Sequence, residues 1–493
     1  MSESQSSYQQ VVKTMSLFGG VQVFNIAITL VRSKMMALLL GLSGMGIAGL
    51  FNSTLGLIAA LTNFGLMTSS VKSISAAASD QDETAHTVAV LKKLIWFTGI
   101  LGMCCTIFFS PWISRLAFGN TDYSWPLIWI SIALLLTQLT NGHLAVLQGL
   151  RKLNHLAKAN LAGSFFGLLV TIPLYYLYGT AAIVPAIILA AACALFFSWF
   201  YSRKIKVKQV KVTNLEAIES GKSMLRLGFS LSFIGLLTTL SAYLVQIFIS
   251  HSGGLQQVGL YNAGSAIINT YVGLVFSAMS MDYFPRLAAV SESNDKVREI
   301  VKQQALMVVL IIMPVIIVFL AFAPLIVRIL FSADFMPIVS FISLGMLGML
   351  FKAASWSMGY ILIAKGDSKL FIKTSIFFNS VFLINNVAAY HFYGLEGVGF
   401  SFLVNFVIHF ICVLWLCQKK YEFRFSVEFY RIFGYCVLFC LFGFLASKFT
   451  DGFLKYSLLA VILCLSVAFS FYELDKKTGF KQIIIDKLKK NDR

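Results

Sequence analysis

The 493-residue chain is 58% hydrophobic and only 12% charged, and its mean hydropathy is +0.81. So much apolar surface cannot be buried in a water-soluble core, which excludes the soluble globular and disordered classes. The net charge of +18 fits basic loops on one side of a membrane, helped by anionic lipid headgroups, and it requires no nucleic-acid partner.

The N-terminal stretch MSESQSSYQQVVKTMSLFGG lacks a basic cluster before a short apolar core, and it has no small-residue cleavage site. No removable signal peptide is therefore expected.

Runs of about 20 apolar residues, separated by polar residues and turn formers, predict fourteen membrane-spanning helices. The predicted segments are 12–40, 45–71, 90–113, 125–150, 155–177, 180–201, 224–250, 257–282, 300–327, 336–364, 369–391, 396–418, 429–448 and 453–472. The predicted fold class is an all-α polytopic membrane protein, because a helix satisfies its own backbone hydrogen bonds in lipid.

Basic residues set the predicted orientation, since Lys and Arg concentrate in cytoplasmic loops. With the N-terminus inside, 32 of the 39 Lys and Arg fall on the cytoplasmic side. The opposite side then holds Arg115, Arg328, Lys448 and Lys455. Both termini are therefore expected in the cytoplasm.

Three pairs of matching stretches indicate an internal repeat. GLFN at residue 49 matches GLYN at 259, SPWISRLAFG at 110 matches APLIVRILFS at 323, and YGTAA at 178 matches YGLEG at 393. An even number of spans in each half makes the halves parallel, related by an axis along the membrane normal. The prediction is two pseudo-symmetric six-helix lobes around a central cavity, followed by two more helices.

This repeat defines the predicted domains. They are an N-terminal six-helix lobe (1–205), a basic cytoplasmic linker (206–222), a C-terminal six-helix lobe (223–420), two additional transmembrane helices (421–475) and a basic cytoplasmic tail (476–493).

Five segments carry polar residues on one helical face, at about 100° per residue. These faces are Gln22, Asn25, Thr29, Arg32 and Ser33 in segment 1; Asn52 and Asn63 in segment 2; Gln138, Asn141 and Gln148 in segment 4; Asn262 and Asn269 in segment 8; and Gly345, Gly348, Lys352, Ser355 and Gly359 in segment 10. Lys34 points away from the polar face of segment 1. Polar faces in both halves predict a water-filled vestibule.

Plainer interpretations stay open for single residues. Intramembrane Asn and Gln commonly join helices by hydrogen bonds. Arg32 and Lys34 lie near the outer end of segment 1 and could extend to the interface. Lys352 lies near the middle of its segment, where an unsolvated charge is costly, so it is expected to face water or a ligand.

Acidic residues are absent from the predicted interior of all fourteen segments, and Asp282 is the nearest. A cation-coupled exporter of cationic drugs would need a buried carboxylate. Intramembrane cations without acids instead favour an anionic ligand such as a phosphate or an acidic sugar.

No enzymatic motif is found. ESGKSM at 219–224 ends like a phosphate-binding loop, but Glu216 replaces the required first glycine and an apolar segment follows. The eight cysteines lie in apolar stretches without metal-ligand spacing, so neither disulfides nor metal sites nor cofactors are expected.

Several stretches give the chain a family resemblance: RSKMMALLLGLSGMG (32–46), GLFN, VKSISAA (71–77) and YFPRLAA (283–289). The chain resembles the polysaccharide lipid-carrier flippases of the MOP superfamily, specifically the Wzx-type O-antigen translocases. The resemblance implies two lobes that open alternately to either side. It also implies movement of an undecaprenyl-pyrophosphate-linked oligosaccharide from the cytoplasmic to the periplasmic leaflet of the bacterial inner membrane. Lys34 matches the family's basic position before the glycine turn, whereas the helical periodicity favours Arg32.

The predicted function is therefore that of a flippase, a transporter and not an enzyme. The candidate substrate-binding residues are Asn25, Arg32, Lys34, Asn52, Gln138, Asn262 and Lys352. Membrane lipids are expected partners, and the polysaccharide polymerase and chain-length regulator are candidate partners. The alternatives are a multidrug extruder of the same fold and, from another class, a membrane-embedded polysaccharide polymerase or transferase. The fourteen segments match the lipid II flippases better than the twelve often assigned to Wzx proteins, which leaves the lipid-linked substrate open.

Overall fold

The computed structural model describes the backbone of residues 3–208 and 210–478, and side chains from Phe24 to Lys476 except at 209, 230, 271, 274, 278 and 281. Within these ranges the chain forms helices and no strand. The α-helices are α1 (Glu3–Thr62), α2 (Leu66–Ala77), α3 (Gln81–Phe118), α4 (Ser124–Gly149), α5 (Leu153–Tyr178), α6 (Ile183–Arg203), α7 (Asn214–Ser265), α8 (Gly273–Ala289), α9 (Asn294–Leu330), α10 (Ile338–Ala364), α11 (Ser368–Tyr421), α12 (Val427–Phe449) and α13 (Gly452–Thr478). The predicted all-α class is confirmed.

Four glycines with positive φ interrupt long helical stretches. Gly41 (φ 65°) lies within α1, Gly254 (φ 78°) within α7 and Gly394 (φ 59°) within α11, while Gly179 (φ 55°) lies between α5 and α6. Left-handed φ values are strained for residues with a Cβ atom but accessible to glycine. Each of these glycines lies in the gap between two consecutive predicted segments.

Ten helical stretches within the described residues are long and apolar enough to cross a membrane, whereas fourteen segments were predicted. The difference arises because four of the stretches each contain one of these glycines and include two predicted segments. The stretch Phe24–Thr62, for example, has 39 residues, and as a straight helix it would be about 58 Å long, roughly twice the hydrocarbon thickness. The chain is a multi-pass membrane protein, and the exact number of crossings stays a prediction.

The order and lengths of the helices repeat along the chain. Helix α3 has 38 residues and α9 has 37, and α4 has 26 and α10 has 27. The glycine breaks also occur at corresponding positions in the two halves of the sequence. Gly41 and Gly254 both have an extended ψ. Gly179 and Gly394 have similar ψ values, −133° and −144°. The internal repeat is therefore present in local backbone geometry, and the arrangement of the lobes stays a prediction.

The structure divides into two compact units. Unit 1 comprises the residues up to Gly259 together with Leu330–Ser332, and unit 2 comprises Leu260–Ile329 and the residues from Ala333 onward. Unit 1 includes α7 up to Gly259, and the division into lobes at the linker 206–222 stays a prediction.

Small residues allow the helices of unit 1 to approach closely. A Cβ atom at Gly142 of α4 would lie 2.2 Å from Ile95 of α3, and one at Gly163 of α5 would lie 3.1 Å from the backbone of Ala194 in α6. Close packing and interhelical hydrogen bonds drive helix association in lipid, where the hydrophobic effect between helices is absent.

In unit 2, α9 has a strongly buried apolar face and contacts α13, whose Ser470 hydroxyl donates to the Leu310 carbonyl at 2.8 Å. Ala321, Ala446 and Leu459 form a small core among α9, α12 and α13. The two C-terminal helices are therefore packed parts of this unit.

Candidate functional site

A cavity of about 440 Å³ lies within unit 1, between α1, α4, α5 and α6. One wall consists of small residues, which leave the space open. The polar residues that line the cavity are Arg32, Asn52, Thr137, Gln138, Asn141, Ser164, Thr171 and Tyr175. The structure therefore brings together Arg32, Asn52 and Gln138, three of the predicted site residues.

Arg32 is the charged residue of this cavity, since its other lining residues are uncharged. Helix α1 holds Arg32 about two and a half turns before the break at Gly41. The Arg32 Nε atom is buried and has no hydrogen-bond partner among the described residues. A guanidinium group is a planar fork of five donors, so an unused donor beside a cavity without a carboxylate suits an anionic or oxygen-rich ligand.

Side-chain amides add hydrogen-bonding capacity to the cavity. Asn52 Nδ2 donates to the Ala48 carbonyl at 2.8 Å, and Gln138 Nε2 donates to the Thr98 hydroxyl at 3.1 Å. Each amide has two N–H donors and a carbonyl acceptor, so one internal bond leaves capacity for a ligand. The interaction between Gln138 and Thr98 joins α4 to α3, which supports the helix-joining interpretation, and ligand binding by Gln138 stays a prediction.

Lys34 does not line this cavity. Its Nζ donates to the buried backbone carbonyl of Phe331 at 2.5 Å. Phe331 belongs to the three-residue stretch Leu330–Ser332 that groups with unit 1. Lys34 therefore holds this distant stretch of chain by a charge-assisted hydrogen bond.

Asn25 also lies outside the lining of the cavity, although its Oδ1 atom is buried without a partner in the described part of the chain. The Thr29 hydroxyl donates to the Asn25 backbone carbonyl at 2.8 Å, as a local helical bond. The predicted Gln22 side chain lies outside the described residues.

Lys352 lies in unit 2 on α10. Its Nζ lies 5.6 Å from the ring centroid of Phe276 and 5.0 Å from that of Phe406, distances typical of cation–π contacts. No described carboxylate forms an ion pair with Lys352. Asn262, in the same unit, has a buried Nδ2 atom without a described partner.

The glycine-rich face of α10 differs from the expected water-lined face. A Cβ atom at Gly345 would lie 2.4 Å from Ile268, and one at Gly348 would lie 3.0 Å from the backbone of Leu403. Ser355 is fully buried and bonds the Lys352 carbonyl. The expectation of a water-lined face is therefore wrong at these three positions, because the small residues serve close packing of helices.

A polar cluster on α11 was not predicted from the sequence. Asn385 Nδ2 donates to Asn405 Oδ1 at 2.7 Å, and both Asn405 Nδ2 and His409 Nδ1 are buried without partners in the described residues. Ser401, Asn405 and His409 follow at intervals of four residues, a helical spacing that could have revealed this face. Tyr175 and Thr171 of the unit 1 cavity were missed as well, because no charged residue marks α5 there.

Hydrogen bonds and ion pairs at loops and helix ends shift the pKa values of three groups that lie outside the membrane-spanning helices. The hydrogen bond between Lys208 Nζ and Asp82, at 2.6 Å, raises the pKa of Lys208. The Thr213 backbone N–H, followed by His86, holds the pKa of Glu216 below its usual range. Lys420 and then the Tyr421 hydroxyl lower the pKa of Asp367. These contacts join loops and helix ends, and they lie apart from the cavity.

Metal chemistry has no visible site in the described ranges, where no group of three or more His, Cys, Asp or Glu could hold an ion. Cys417, Cys436 and Cys440 are buried, and every cysteine is a free thiol.

Comparison with known proteins places the chain in a family. The model of the polysaccharide biosynthesis protein family matches residues 35–340. The lipid III flippase of Escherichia coli K12 is 21% identical over 79% of this chain and 94% of its own length. A Shigella flexneri protein provisionally named an O-antigen transporter is 23% identical over 77% of this chain and 91% of its own length.

Solved structures share the fold. The lipid II flippase MurJ in an inward closed conformation has a TM-score of 0.70 and 15% identity, covering 93% of this chain and 99% of that one. An inward-facing multidrug resistance MATE family transporter of the MOP superfamily has a TM-score of 0.64 and 16% identity, covering 82% and 94%. The chain therefore belongs to the polysaccharide biosynthesis protein family, which confirms its resemblance to the Wzx-type flippases of the MOP superfamily.

Proposed function

We propose that the chain moves an undecaprenyl-pyrophosphate-linked oligosaccharide, an O-antigen or similar surface glycan unit, from the cytoplasmic to the periplasmic leaflet of the bacterial inner membrane. It does so by alternating access, as a transporter without catalytic chemistry, with both termini in the cytoplasm. The relatives named for lipid III and O-antigen transport support this substrate class. A glycan polymerase and its chain-length regulator act on the delivered product.

The cavity around Arg32 is the observation that carries the proposal. It combines one guanidinium group with the amides of Asn52, Gln138 and Asn141 and has no carboxylate in its lining. A guanidinium fork matches phosphate oxygens with two parallel hydrogen bonds, and amides pair with sugar hydroxyls. Such a site binds the pyrophosphate or an acidic sugar while the prenyl chain remains in lipid.

Lys352 and Asn262 are the proposed substrate-binding residues of unit 2. Lys352 lies beside two aromatic rings, and no carboxylate in the described part of the chain pairs with it. Its charge is therefore available to a polyanionic headgroup. Asn262 contributes the unused donor of its buried amide. Asn25 contributes an acceptor at the start of the same α1 face as Arg32.

Lys34 acts on the substrate indirectly in this proposal. Its bond to the Phe331 carbonyl fixes the stretch Leu330–Ser332 of unit 1 against α1, and Arg32 makes the direct contact. The alternative, direct binding by Lys34 at the family's basic position, predicts loss of function without loss of stability when Lys34 is replaced.

A multidrug extruder is the second candidate, because MATE transporters share the fold. An exporter of cationic drugs requires an acceptor of positive charge in the membrane. The cavity contains Arg32 and no carboxylate among its lining residues, which favours an anionic substrate over a cationic drug.

The test is restoration of surface glycan in cells that lack their own flippase. Arg32→Ala should abolish most restoration, Arg32→Lys should retain part of it because charge remains without the planar fork, and Arg32→Glu should be the most defective because it repels the anion. Lys352→Glu should also be defective. Arg431→Ala, which removes an exposed arginine of α12, is the matched control and should restore fully.

Membrane abundance is measured for every variant, so that failure to insert is distinguished from failure to transport. Full restoration by both Arg32→Glu and Lys352→Glu at normal abundance would refute the anion site and return these cations to structural roles.

A further inference from the structure

A second cavity of unit 1 lies at the end of the helices that the charge distribution places in the cytoplasm. It measures about 700 Å³ and lies between α3, α4, α6 and the loop after α6. Four cations line it, namely Lys92, Arg203, Lys206 and Lys208. We call this space the basic pocket.

An apolar cleft of about 480 Å³ adjoins the basic pocket. The cleft is lined by Trp96, Leu136, Leu139, Ala192 and Phe196, among others, and both cavities share His143 and Trp199. Trp96 is 51% exposed and Phe196 is 55% exposed. The shared residues make the two spaces continuous, with charge at one end and exposed aromatic surface at the other.

The charge of the basic pocket is largely uncompensated. Lys208 pairs with Asp82 at 2.6 Å, while Arg203 stacks on Trp199 with its guanidinium carbon 5.3 Å from the ring centroid. No described carboxylate forms an ion pair with Lys92, Arg203 or Lys206. Three cations around one cavity are therefore available to an anion.

The basic pocket and the apolar cleft are lined by different helical faces from those that line the cavity around Arg32. On α4, Gln138 and Asn141 line the Arg32 cavity, whereas Leu136, Leu139 and His143 line the apolar cleft. A ligand in the cleft therefore occupies a site separate from the proposed substrate site, and the argument for it does not rest on the identity of the substrate.

We propose that the basic pocket and the apolar cleft together bind one anionic phospholipid of the cytoplasmic leaflet. The phosphate lies among Lys92, Arg203 and Lys206, and an acyl chain lies along Trp96 and Phe196. Basic pockets between transmembrane helices on the cytoplasmic side suit anionic headgroups, and tryptophan is favoured at the level of the headgroups. A zwitterionic lipid would bring its own cation into the basic pocket, and inorganic phosphate would leave the cleft unfilled.

The experiment uses the full purified chain in detergent. Native mass spectrometry measures lipid retention, and thermal unfolding measures Tm, after addition of phosphatidylglycerol, phosphatidylcholine with the same acyl chains, or inorganic phosphate. Only phosphatidylglycerol should be retained and raise Tm. Equal effects of both lipids, or an equal effect of inorganic phosphate, would overturn the proposal.

Matched variants locate the site. The triple variant Lys92→Gln, Arg203→Gln, Lys206→Gln should weaken phosphatidylglycerol retention by roughly a hundredfold, from about 1 kcal/mol for each of the three cations near a membrane surface. The control triple Lys152→Gln, Lys158→Gln, Lys204→Gln removes the same charge from exposed positions outside both cavities, and it should retain the lipid. Equal losses in both triples would show diffuse attraction and refute a defined site.

A variant that preserves charge tests the cleft and keeps the proposal falsifiable if the first triple does not insert. Ala192→Phe fills the cleft without changing the basic pocket. It should lower phosphatidylglycerol retention while Tm without added lipid stays near that of the parent chain. Unchanged retention in this variant would overturn the proposed position of the acyl chain and with it the composite site.

Discussion

At the scale of single residues, Arg32 and Lys34 are two cations on one helix with different roles. The Arg32 Nε is buried without a hydrogen-bond partner among the described residues, and an unpaired buried donor lowers stability when no ligand is bound. Lys34 donates to the Phe331 carbonyl, so it contributes to stability directly.

We therefore expect substitution by methionine to affect thermal stability differently at the two positions. Arg32→Met should leave Tm unchanged or raise it while transport is lost, because an apolar side chain of similar length relieves the unpaired donor. Lys34→Met should lower stability by about 1.5–3 kcal/mol, the usual contribution of a hydrogen bond to a charged group. Thermal unfolding of the purified variants, alongside glycan restoration in cells, measures both effects. A large fall in Tm for Arg32→Met with none for Lys34→Met would exchange the two roles.

The ion pair between Asp367 and Lys420, at 2.9 Å, predicts a dependence on acid. Lys420 and Tyr421 lower the pKa of Asp367, so the stabilisation is fully present above the ordinary carboxyl pKa of about 3.9 and is lost as pH falls through the lowered value. The Tm difference between the parent chain and Asp367→Asn should therefore be constant from neutral pH to about pH 5 and should shrink in stronger acid. A difference that grows on acidification would contradict this assignment.

Some of these residue contacts could be predicted from the sequence, and others could not. Helical periodicity identified Arg32 as the member of the polar face, and the structure places it in the cavity with Asn52 and Gln138. The partner of Lys34 could not be predicted, because Phe331 is 297 residues away in the chain and no local pattern encodes that contact. For the same reason the ring neighbours of Lys352 remained hidden.

At the scale of elements, backbone contacts join α1 to α7 within unit 1. A Cβ atom at Gly259 would lie 2.1 Å from the Leu42 carbonyl oxygen, and one at Gly46 would lie 2.0 Å from that of Leu255. Distances this short leave no room for a side chain, so the two glycines permit the close approach of the two helices.

We expect Gly259→Val to separate α1 from α7 and to cost about 1–3 kcal/mol or more, as overpacking does. Gly235→Val in the same helix is the matched control, since nothing lies within 4 Å of a Cβ atom there. Abundance in the membrane and Tm are measured for both variants. A normal Tm for Gly259→Val would show that the contact yields easily, and equal losses in both variants would show a general cost of valine in α7.

The helices themselves were largely predictable, because lipid leaves a spanning segment little choice but an α-helix. The number of membrane crossings was harder to predict. Gly41, Gly254 and Gly394 break the path of the chain without ending the helical stretch around them, and hydropathy alone does not separate a break from an end. Gly345 and Gly348 were predicted to line water, but they pack against neighbouring helices. The sequence could not distinguish the two roles, because a face of small residues has the same period in both cases.

At the scale of the whole molecule, the asymmetry of Lys and Arg predicts the topology. Cysteines introduced at the exposed positions Thr121 and Ser252 should react with a membrane-impermeant thiol reagent added outside intact cells, and one at the exposed Glu219 should not. The unsubstituted chain is the background control, because its native cysteines lie in helices α3, α6, α11, α12 and α13. Labelling of Glu219→Cys from outside would reverse the proposed orientation.

The central claim is translocation of a lipid-linked glycan that depends on Arg32, and reconstitution tests it most directly. The full chain is placed in liposomes that contain an undecaprenyl-pyrophosphate-linked oligosaccharide with a fluorescent label, and an impermeant reductant quenches only the label in the outer leaflet. The parent chain should let the reductant reach label that protein-free liposomes protect, and Arg32→Met should leave that label protected. Protection that is unchanged by the parent chain, or lost equally with Arg32→Met, would contradict the account.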